Sequence, residues 1–252
     1  MSVSLLFPAR NRLEFTQQSW AALMANTDWN LVSEFHIYDD GSTDGTRDWL
    51  EFSYDCIYNE LLIYGFQFKG QGSGVYYHRT AFHSPMGVTL DWIKQSKAPL
   101  LAKLDNDTIY PPGWLAVALD VMKRNPDLSA LGLECMRKPV PFGEFDTPAL
   151  GKRSYLPATF ISGLGIYRRH IFADSLPHDN GYFGIEEWQT ERHIKAGWIL
   201  PSLPTILLDR LPIEPWASLS EQYVKAGWQR PWSLELRYKP EQHELWDWWK
   251  PV

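Results

Sequence analysis

Cysteine is almost missing from this 252-residue chain, whose two examples, Cys56 and Cys135, stand far apart in no metal-type spacing. That excludes a disulfide framework and a cysteine-built metal knuckle, and it fits a reducing compartment or simple burial. An excess of basic charge is missing as well. Lys and Arg number 24 against 30 Asp and Glu, a formal net charge of −6, so no global positive field advertises nucleic acid or an anionic membrane. No apolar run reaches the length of a membrane span, and Met1-Ser2-Val3-Ser4-Leu5-Leu6-Phe7 lacks the charged and cleavable parts of a signal peptide. The expectation is a soluble, cytoplasmic protein with no membrane span. The glycines of Lys69-Gly70-Gln71-Gly72-Ser73-Gly74 fit neither GxGxxG nor a P-loop, which disfavours a dinucleotide-binding fold and an NTPase. Internal repeats and low-complexity tracts are absent too.

What the chain does have is centred on Leu100-Leu101-Ala102-Lys103-Leu104-Asp105-Asn106-Asp107-Thr108, an apolar run that ends in two carboxylates one residue apart. Such a run reads as a buried strand, and in open α/β sheets ligands collect beyond the carboxyl ends of strands. Residues i and i+2 of an extended segment point the same way, so Asp105 and Asp107 can converge on one site. Two acids there call for a cation, and a hard divalent ion such as Mn²⁺ or Mg²⁺ suits oxygen ligands while keeping positions open for phosphate. A solvated turn before Pro111-Pro112 is the plainer reading of the same residues.

The rest of the chain alternates strand and helix. Val3 to Phe7 reads as a strand, Leu13, Gln17, Trp20, Leu23 and Met24 recur at helical spacing, and Phe35-His36-Ile37-Tyr38 is a second strand. The second strand runs into Asp39-Asp40-Gly41-Ser42-Thr43-Asp44-Gly45-Thr46, with a helix after it. Further strands are expected at 61–66, 130–135 and 160–169, helices at 86–97, 114–122 and 181–196, the last stopped by Gly197, and an irregular loop at 138–157. Ile206-Leu207-Leu208-Asp209 repeats the theme of an apolar run ending in an acid. This βαβα order implies an α/β fold with a mostly parallel sheet. The domain reading is one unit over 1–210 and a Trp- and Pro-rich extension over 211–252, which holds Trp216, Trp228, Trp232, Trp246, Trp248 and Trp249. Packing of those rings on the main domain is the structural expectation, with acceptor binding as a second role.

Taken in order, Phe7-Pro8-Ala9-Arg10-Asn11, Asp39-Asp40-Gly41-Ser42-Thr43-Asp44-Gly45-Thr46, Asp105-Asn106-Asp107 and Gly184-Ile185-Glu186-Glu187 resemble the family 2 glycosyltransferases. The resemblance implies the GT-A (Rossmann-like) fold, a mixed, mostly parallel sheet with helices on both faces. It gives Pro8, Ala9, Arg10 and Asp39 or Asp40 to the nucleoside of a nucleotide-sugar donor, foremost a UDP-sugar. Asp105 would lie near the ribose with Asn106 beside it, and Asp107 would hold the Mn²⁺ or Mg²⁺ ion. Of the acidic pair before a helix, Glu187 would be the catalytic base and Glu186 its neighbour, where the family usually carries Asp in the second place. The family's late His has no counterpart here, and Asp209 stands in that position as a further metal ligand. In-line displacement in the family inverts the anomeric centre.

A metal-dependent, inverting glycosyltransferase is therefore the expectation. A nucleotidyltransferase is the rival enzyme, and it would carry a Gly-rich basic loop after its first strand where Pro8-Ala9-Arg10-Asn11 stands. A non-catalytic sugar-binding module would keep the aromatics but has no need of Asp107 and Glu187. The acceptor is left open among a polysaccharide or other glycan, a lipid-linked sugar, a protein and a hydroxylated base of a modified nucleic acid.

Overall fold

A computed structural model of the chain describes residues 2–63, 74–110, 112–133, 155–158, 160–161, 163–179, 184–199 and 206–207. Four strands form the first half of the main sheet: β1 (Val3–Ala9), β2 (Val32–Asp40), β3 (Gly74–Thr80) and β4 (Leu100–Lys103), all mutually parallel in the order β3-β2-β1-β4. Helices α1 (Leu13–Asn26), α2 (Thr46–Ile63) and α3 (Pro85–Gln95) make the crossovers. The chain walks outward from β1 to β3, then returns to lay β4 on the other side of β1. That reversal opens a crevice at the carboxyl ends of β1 and β4, the place where open α/β sheets bind ligands.

Beyond β4 the sheet becomes mixed, continuing β8-β6-β9-β7 with β6 (Ala130–Gly132), β7 (Tyr155–Ala158), β8 (Gly165–Arg168) and β9 (Ala196–Ile199). Strand β8 runs antiparallel to both β4 and β6, while β6 and β9 are parallel. Helix α4 (Trp114–Arg124) leads into β6, and α5 (Gly184–Glu191) precedes β9. A separate small ladder pairs β5 (Thr108–Ile109) with β10 (Ile206–Leu207) antiparallel. Among the described residues no helix is long and apolar enough to cross a membrane.

Side-chain alternation divides the core between the two faces of the sheet. Val3, Leu5 and Phe7 of β1 with Phe35 and Ile37 of β2 pack against Trp20 and Leu23 of α1 and Leu115 and Met122 of α4. Leu6, Tyr38 and Leu101 face the other way, onto Met86, Trp92 and Ile93 of α3 and Ile185 and Trp188 of α5. Trp92, essentially buried, gives its indole N–H to Ser4 Oγ at 3.0 Å, so the ring costs no unpaired donor.

Several expected boundaries shift. Residues 61–63 end α2 rather than opening a strand, and residues 64–66 lie outside the described set. A short continuous apolar run cannot be told from a buried helical segment by its pattern, and the third strand falls instead on Val75-Tyr76-Tyr77-His78, rich in β-formers. Residues 155–157, expected within an irregular loop, form β7. The strand expected over 160–169 is confined to Gly165–Arg168. The helix expected to reach Ala196 ends at Glu191, because His193 takes the left-handed conformation (φ 51°) that closes a helix, and Ala196 and Gly197 belong to β9. Asp209 and the Trp-rich extension over 211–252 lie outside the described residues.

Every residue of β2 is buried, including its polar ones. Glu34 accepts from Ser96 Oγ at 2.6 Å and from the Lys97 N–H at 2.9 Å, and His36 Nε2 lies 3.5 Å from it in an electrostatic contact. His36 Nδ1 meets His78 Nε2 at 3.1 Å, and the Tyr38 ring stacks on His78 at 4.2 Å. Burial pushes the Glu34 carboxyl up, but His36, Ser96, the Lys97 N–H and Ser4 outweigh that and bring it down to about 2. Burial first, and His36 second, hold the His78 imidazole down at about 4. Both groups therefore favour the unfolded state in acid: the fold loses stability as pH falls from about 6.5 towards 4, where only the unfolded His78 gains a proton, and again below about 4.5 as Glu34 is forced to protonate. Thermal unfolding across pH 3–8 should show midpoints declining from near pH 6.5, and His78→Gln should flatten the part of the decline above pH 4.

Candidate active site

The crevice is framed by loops that hold one another by side-chain bonds to backbone. After β1, Asn11 and Arg12 both adopt left-handed backbone (φ 56° and 66°), a conformation Asn tolerates better than most residues. This turns Asn11 towards the β2–α2 loop, where its N–H donates to Ser42 Oγ at 2.8 Å and its Oδ1 accepts from the Thr43 N–H at 2.7 Å. Asp44 answers from the other loop, accepting from the Leu13 N–H at 3.1 Å and from the Thr46 hydroxyl at 2.6 Å. Gly41 (φ +79°) makes the turn, and a Cβ there would come within 2.8 Å of the His83 ring. Pro8 and Ala9 close β1 opposite Tyr38 and Asp39, and Arg10 Nε is buried with no hydrogen-bond partner among the described residues.

The adjacent acids of β2 diverge. Asp39, fully buried, accepts from Arg47 Nε at 2.9 Å and from the Ser42 N–H at 3.2 Å, so it anchors the β2–α2 loop. Asp40 turns to the β3–α3 loop, accepting from Thr80 Oγ1 and the His83 N–H at 3.1 Å each and from the Ser84 N–H at 2.9 Å.

The β4–β5 loop is fixed from below by α1. Ser19 Oγ reaches the carbonyls of Asp105 (3.1 Å) and Thr108 (2.8 Å), and Asn106 Nδ2 donates to Thr16 Oγ1 at 2.8 Å. The Asp105 N–H donates to Tyr110 Oη at 2.9 Å, and burial drives that phenol well above its ordinary range. Both carboxylates then meet cations of the chain itself. Asp107 Oδ2 lies 2.9 Å from Arg12 Nη1, with the side chains only 12% and 7% exposed, and Arg12 also sits 4.7 Å over the Phe15 ring. Asp105 Oδ1 lies 2.7 Å from Lys103 Nζ. Among the described residues no three His, Cys, Asp or Glu side chains gather into a metal-binding group. Two carboxylates at one sheet edge nevertheless form a hard-oxygen donor set that fits Mg²⁺ or Mn²⁺, ions that bind through one or two carboxylates and keep the remaining positions for water and phosphate.

Helix α5 brings the second acidic pair to the same edge. Glu187 is exposed, whereas Glu186 is turned inward and its Oε2 is buried with no hydrogen-bond partner among the described residues. Burial pushes the Glu186 carboxyl up to about 7, against the nearby Lys103 charge and the Gly163 N–H, which favour the anion. Asp105 adds to the rise. A Cβ on Gly163 would lie 3.1 Å from Lys103 Nζ, so glycine there leaves the channel through which Lys103 reaches this cluster.

The structure thus gathers Pro8, Ala9, Arg10, Asp39, Asp40, Asp105, Asn106, Asp107, Glu186 and Glu187 along one sheet edge. Sequence reasoning passed over Arg12 and Lys103. Lys103 carried a signal, being a lone charge inside an apolar strand, whereas nothing in the local pattern marks Arg12 as a partner for a residue 95 positions away. A cavity of about 830 Å³ lined by Ile93, Pro99, Leu100, Arg168, Arg169 and Phe172 lies at the start of β4, at the opposite end of the sheet from the acids. Its arginines are spent on carbonyls, Arg168 on Met122 and Leu128, Arg169 on Ile93 and Ser96.

Residues 4–135, more than half of the chain, match the family model described as Glycosyl transferase family 2. No curated protein matches the sequence at a significant level. Among solved structures, TarS residues 1–349 from S. aureus superposes with a TM-score of 0.58 at 14% identity, covering 98% of this chain and 78% of that one. It has also been solved with UDP and with UDP-GlcNAc. The mannosyltransferase PcManGT from Pyrobaculum calidifontis, in complex with GDP-Man and Mn²⁺, gives 0.60 at 14% identity, covering 97% and 69%. GalNAc-T7 with UDP, GalNAc and Mn²⁺ gives 0.58 at 11% identity, covering 91% and 55%. At these identities the likeness establishes the GT-A fold.

Asn11 holds two loops from a left-handed position, so Asn11→Ala should lower unfolding stability by about 1–3 kcal/mol through the lost bond and the strained backbone. Urea denaturation is the measurement, with Asn11→Gly expected to recover the backbone part only.

Proposed function

Because the chain belongs to glycosyl transferase family 2, and is by that membership a glycosyltransferase, we propose that it transfers a sugar from a nucleoside diphosphate sugar to an acceptor hydroxyl with inversion at the anomeric carbon. The observation that carries this reading is the bonding of the β1–α1, β2–α2 and β4–β5 loops into one cradle, with Asp105 and Asp107 at its floor. The nucleotide-bound states of TarS and PcManGT and the Mn²⁺ of PcManGT and GalNAc-T7 support a donor of that class and a divalent ion. A UDP-sugar is the preferred donor. The UDP bound in the TarS and GalNAc-T7 structures supports that preference.

Asp107 and Asp105 would hold the ion, with Asp209 as the third carboxylate of the set. Mn²⁺ or Mg²⁺ bound there supplies charge neutralisation for the departing diphosphate. The chain's own work is positional and acid–base. Pro8, Ala9 and Arg10 line the nucleoside side of the crevice, and Asn106 keeps the acidic loop docked on α1. Glu187, open to solvent at the first turn of α5, takes the proton of the acceptor hydroxyl as it attacks the anomeric carbon from the face opposite the diphosphate. Glu186, whose buried Oε2 still needs a partner, accepts a hydrogen bond from a sugar hydroxyl. The acceptor is a glycan or a hydroxylated base of a modified nucleic acid.

A nucleotide-sugar screen for Mn²⁺-dependent hydrolysis, followed by an acceptor panel, tests the activity. Glu187→Gln keeps volume but cannot take a proton, so kcat should fall by about 100-fold or more with donor affinity retained. Glu186→Gln should raise KM with a milder loss in kcat. The reverse pattern would move the base to Glu186. Asp107→Ala should abolish Mn²⁺ binding measured calorimetrically with UDP present, and undiminished affinity would sink the assignment.

A further inference from the structure

The floor of the cradle is charge-balanced by the chain's own side chains. Asp107 is matched by Arg12 at 2.9 Å and Asp105 by Lys103 at 2.7 Å, so two negative charges face two positive ones in a largely buried setting. We propose that Arg12 and Lys103 are displaceable counter-ions, which hold the two carboxylates in the empty enzyme and release them when a divalent cation and a nucleoside diphosphate enter together, Arg12 then passing to the diphosphate. This rests on the reading of Asp107 as the ion's ligand.

Charge balance gives the reason. A divalent cation arriving alone would meet carboxylates already neutralised and would leave two uncompensated positive charges in a site shielded from water, where charge is costly. A nucleoside diphosphate sugar carries one negative charge on each phosphate, so the cation and the donor together add no net charge. Each makes room for the other, and by linkage each raises the other's affinity by the same factor. Arg12 is suited to both duties, because a planar guanidinium forks onto carboxylate and phosphate alike, and the Phe15 ring lies beneath that plane. Lys103 stays in reach of a second acid, since its charge also acts on Glu186 across the space left by Gly163.

The test is calorimetric titration of Mn²⁺ into the full chain, alone and with UDP or GDP present, and of the nucleotide at saturating Mn²⁺. The wild type should bind Mn²⁺ weakly alone and at least tenfold more tightly with the right nucleotide, about the lower end of the coupling between close charge pairs at a desolvated interface. Arg12→Met removes that counter-charge from Asp107, so Mn²⁺ alone should bind about tenfold or more tightly while nucleotide at saturating Mn²⁺ binds more weakly by a similar factor. Arg12→Lys, which keeps the charge, should restore weak Mn²⁺ binding. Lys103→Met removes the other counter-ion and should also tighten Mn²⁺ alone, which keeps the test open if Arg12→Met does not fold. If Mn²⁺ binds the wild type with nucleotide, yet neither methionine variant binds Mn²⁺ alone more tightly, the counter-ion role is overturned and the functional reading stands. A wild type that binds no Mn²⁺ with either nucleotide overturns both.

Discussion

The opposition of Asp107 and Arg12 is the constraint from which the geometry of the crevice follows. A carboxylate at the end of a buried strand has lost much of its water, and leaving it uncompensated would cost several kcal/mol. Arg12 can reach it only because the chain leaves β1 through two consecutive left-handed residues, which aim Arg12 at the β4–β5 loop and Asn11 at the β2–α2 loop. One unusual turn therefore ties three loops together. Had residue 11 been β-branched, the left-handed backbone would be an outlier and the tie to residues 42 and 43 would be lost with it.

The topology adds a division of labour. The four parallel strands and their crossovers build one side of the crevice, and they lie almost entirely within the span that matches the family model, which runs on through α4 and β6. The mixed half supplies the other side, since β8 returns antiparallel alongside β4 and carries Gly163 and Leu164 to the end where Lys103 lies, with α5 packed through Ile185 and Trp188 on the same face as α3. Lys103 stands on the seam. Its ammonium is bonded to Asp105 on one side and acts on Glu186 on the other, so one buried cation is shared by the two halves of the candidate site.

Much of this could be read from the residues because short-range chemistry dictates it. The strand–loop–helix order of the first half follows from apolar runs ending in Pro8, Asp39 and Asp105, and the acids at those ends mark the edge that holds the candidate site. What escaped reading is long-range. Arg12 meets Asp107 only after β1 and β4 pair, and the left-handed His193 ended α5 early where Gly197 looked the better stop. The apolar end of α2 and the short strand β7 were misassigned for a related reason: both are elements whose type is decided by what packs on them rather than by their own periodicity. That Glu186 is turned inward while Glu187 is exposed could not be read from the sequence, because burial is a property of the assembled fold.

The adjacency of Asp39 and Asp40 also acquires a physical reason. Alternation sends residues 34, 36, 38 and 40 of β2 to one face of the sheet and residues 35, 37 and 39 to the other. On the first face runs a polar column of Glu34, His36 and Tyr38 beneath α3, and Asp40 is its last member, reaching the backbone of His83 and Ser84 just before α3 begins. On the second face Asp39 follows Phe35 and Ile37 out of the apolar core and meets Arg47 in the first turn of α2. Two neighbouring carboxylates thus hold two different loops, one on each side of the strand, and a single acid could not hold both. A solvated Gly-rich turn would need neither to be buried. Their burial, with the carboxylate oxygens committed to named donors, is what turns an ordinary-looking turn sequence into the fixed wall of a ligand crevice.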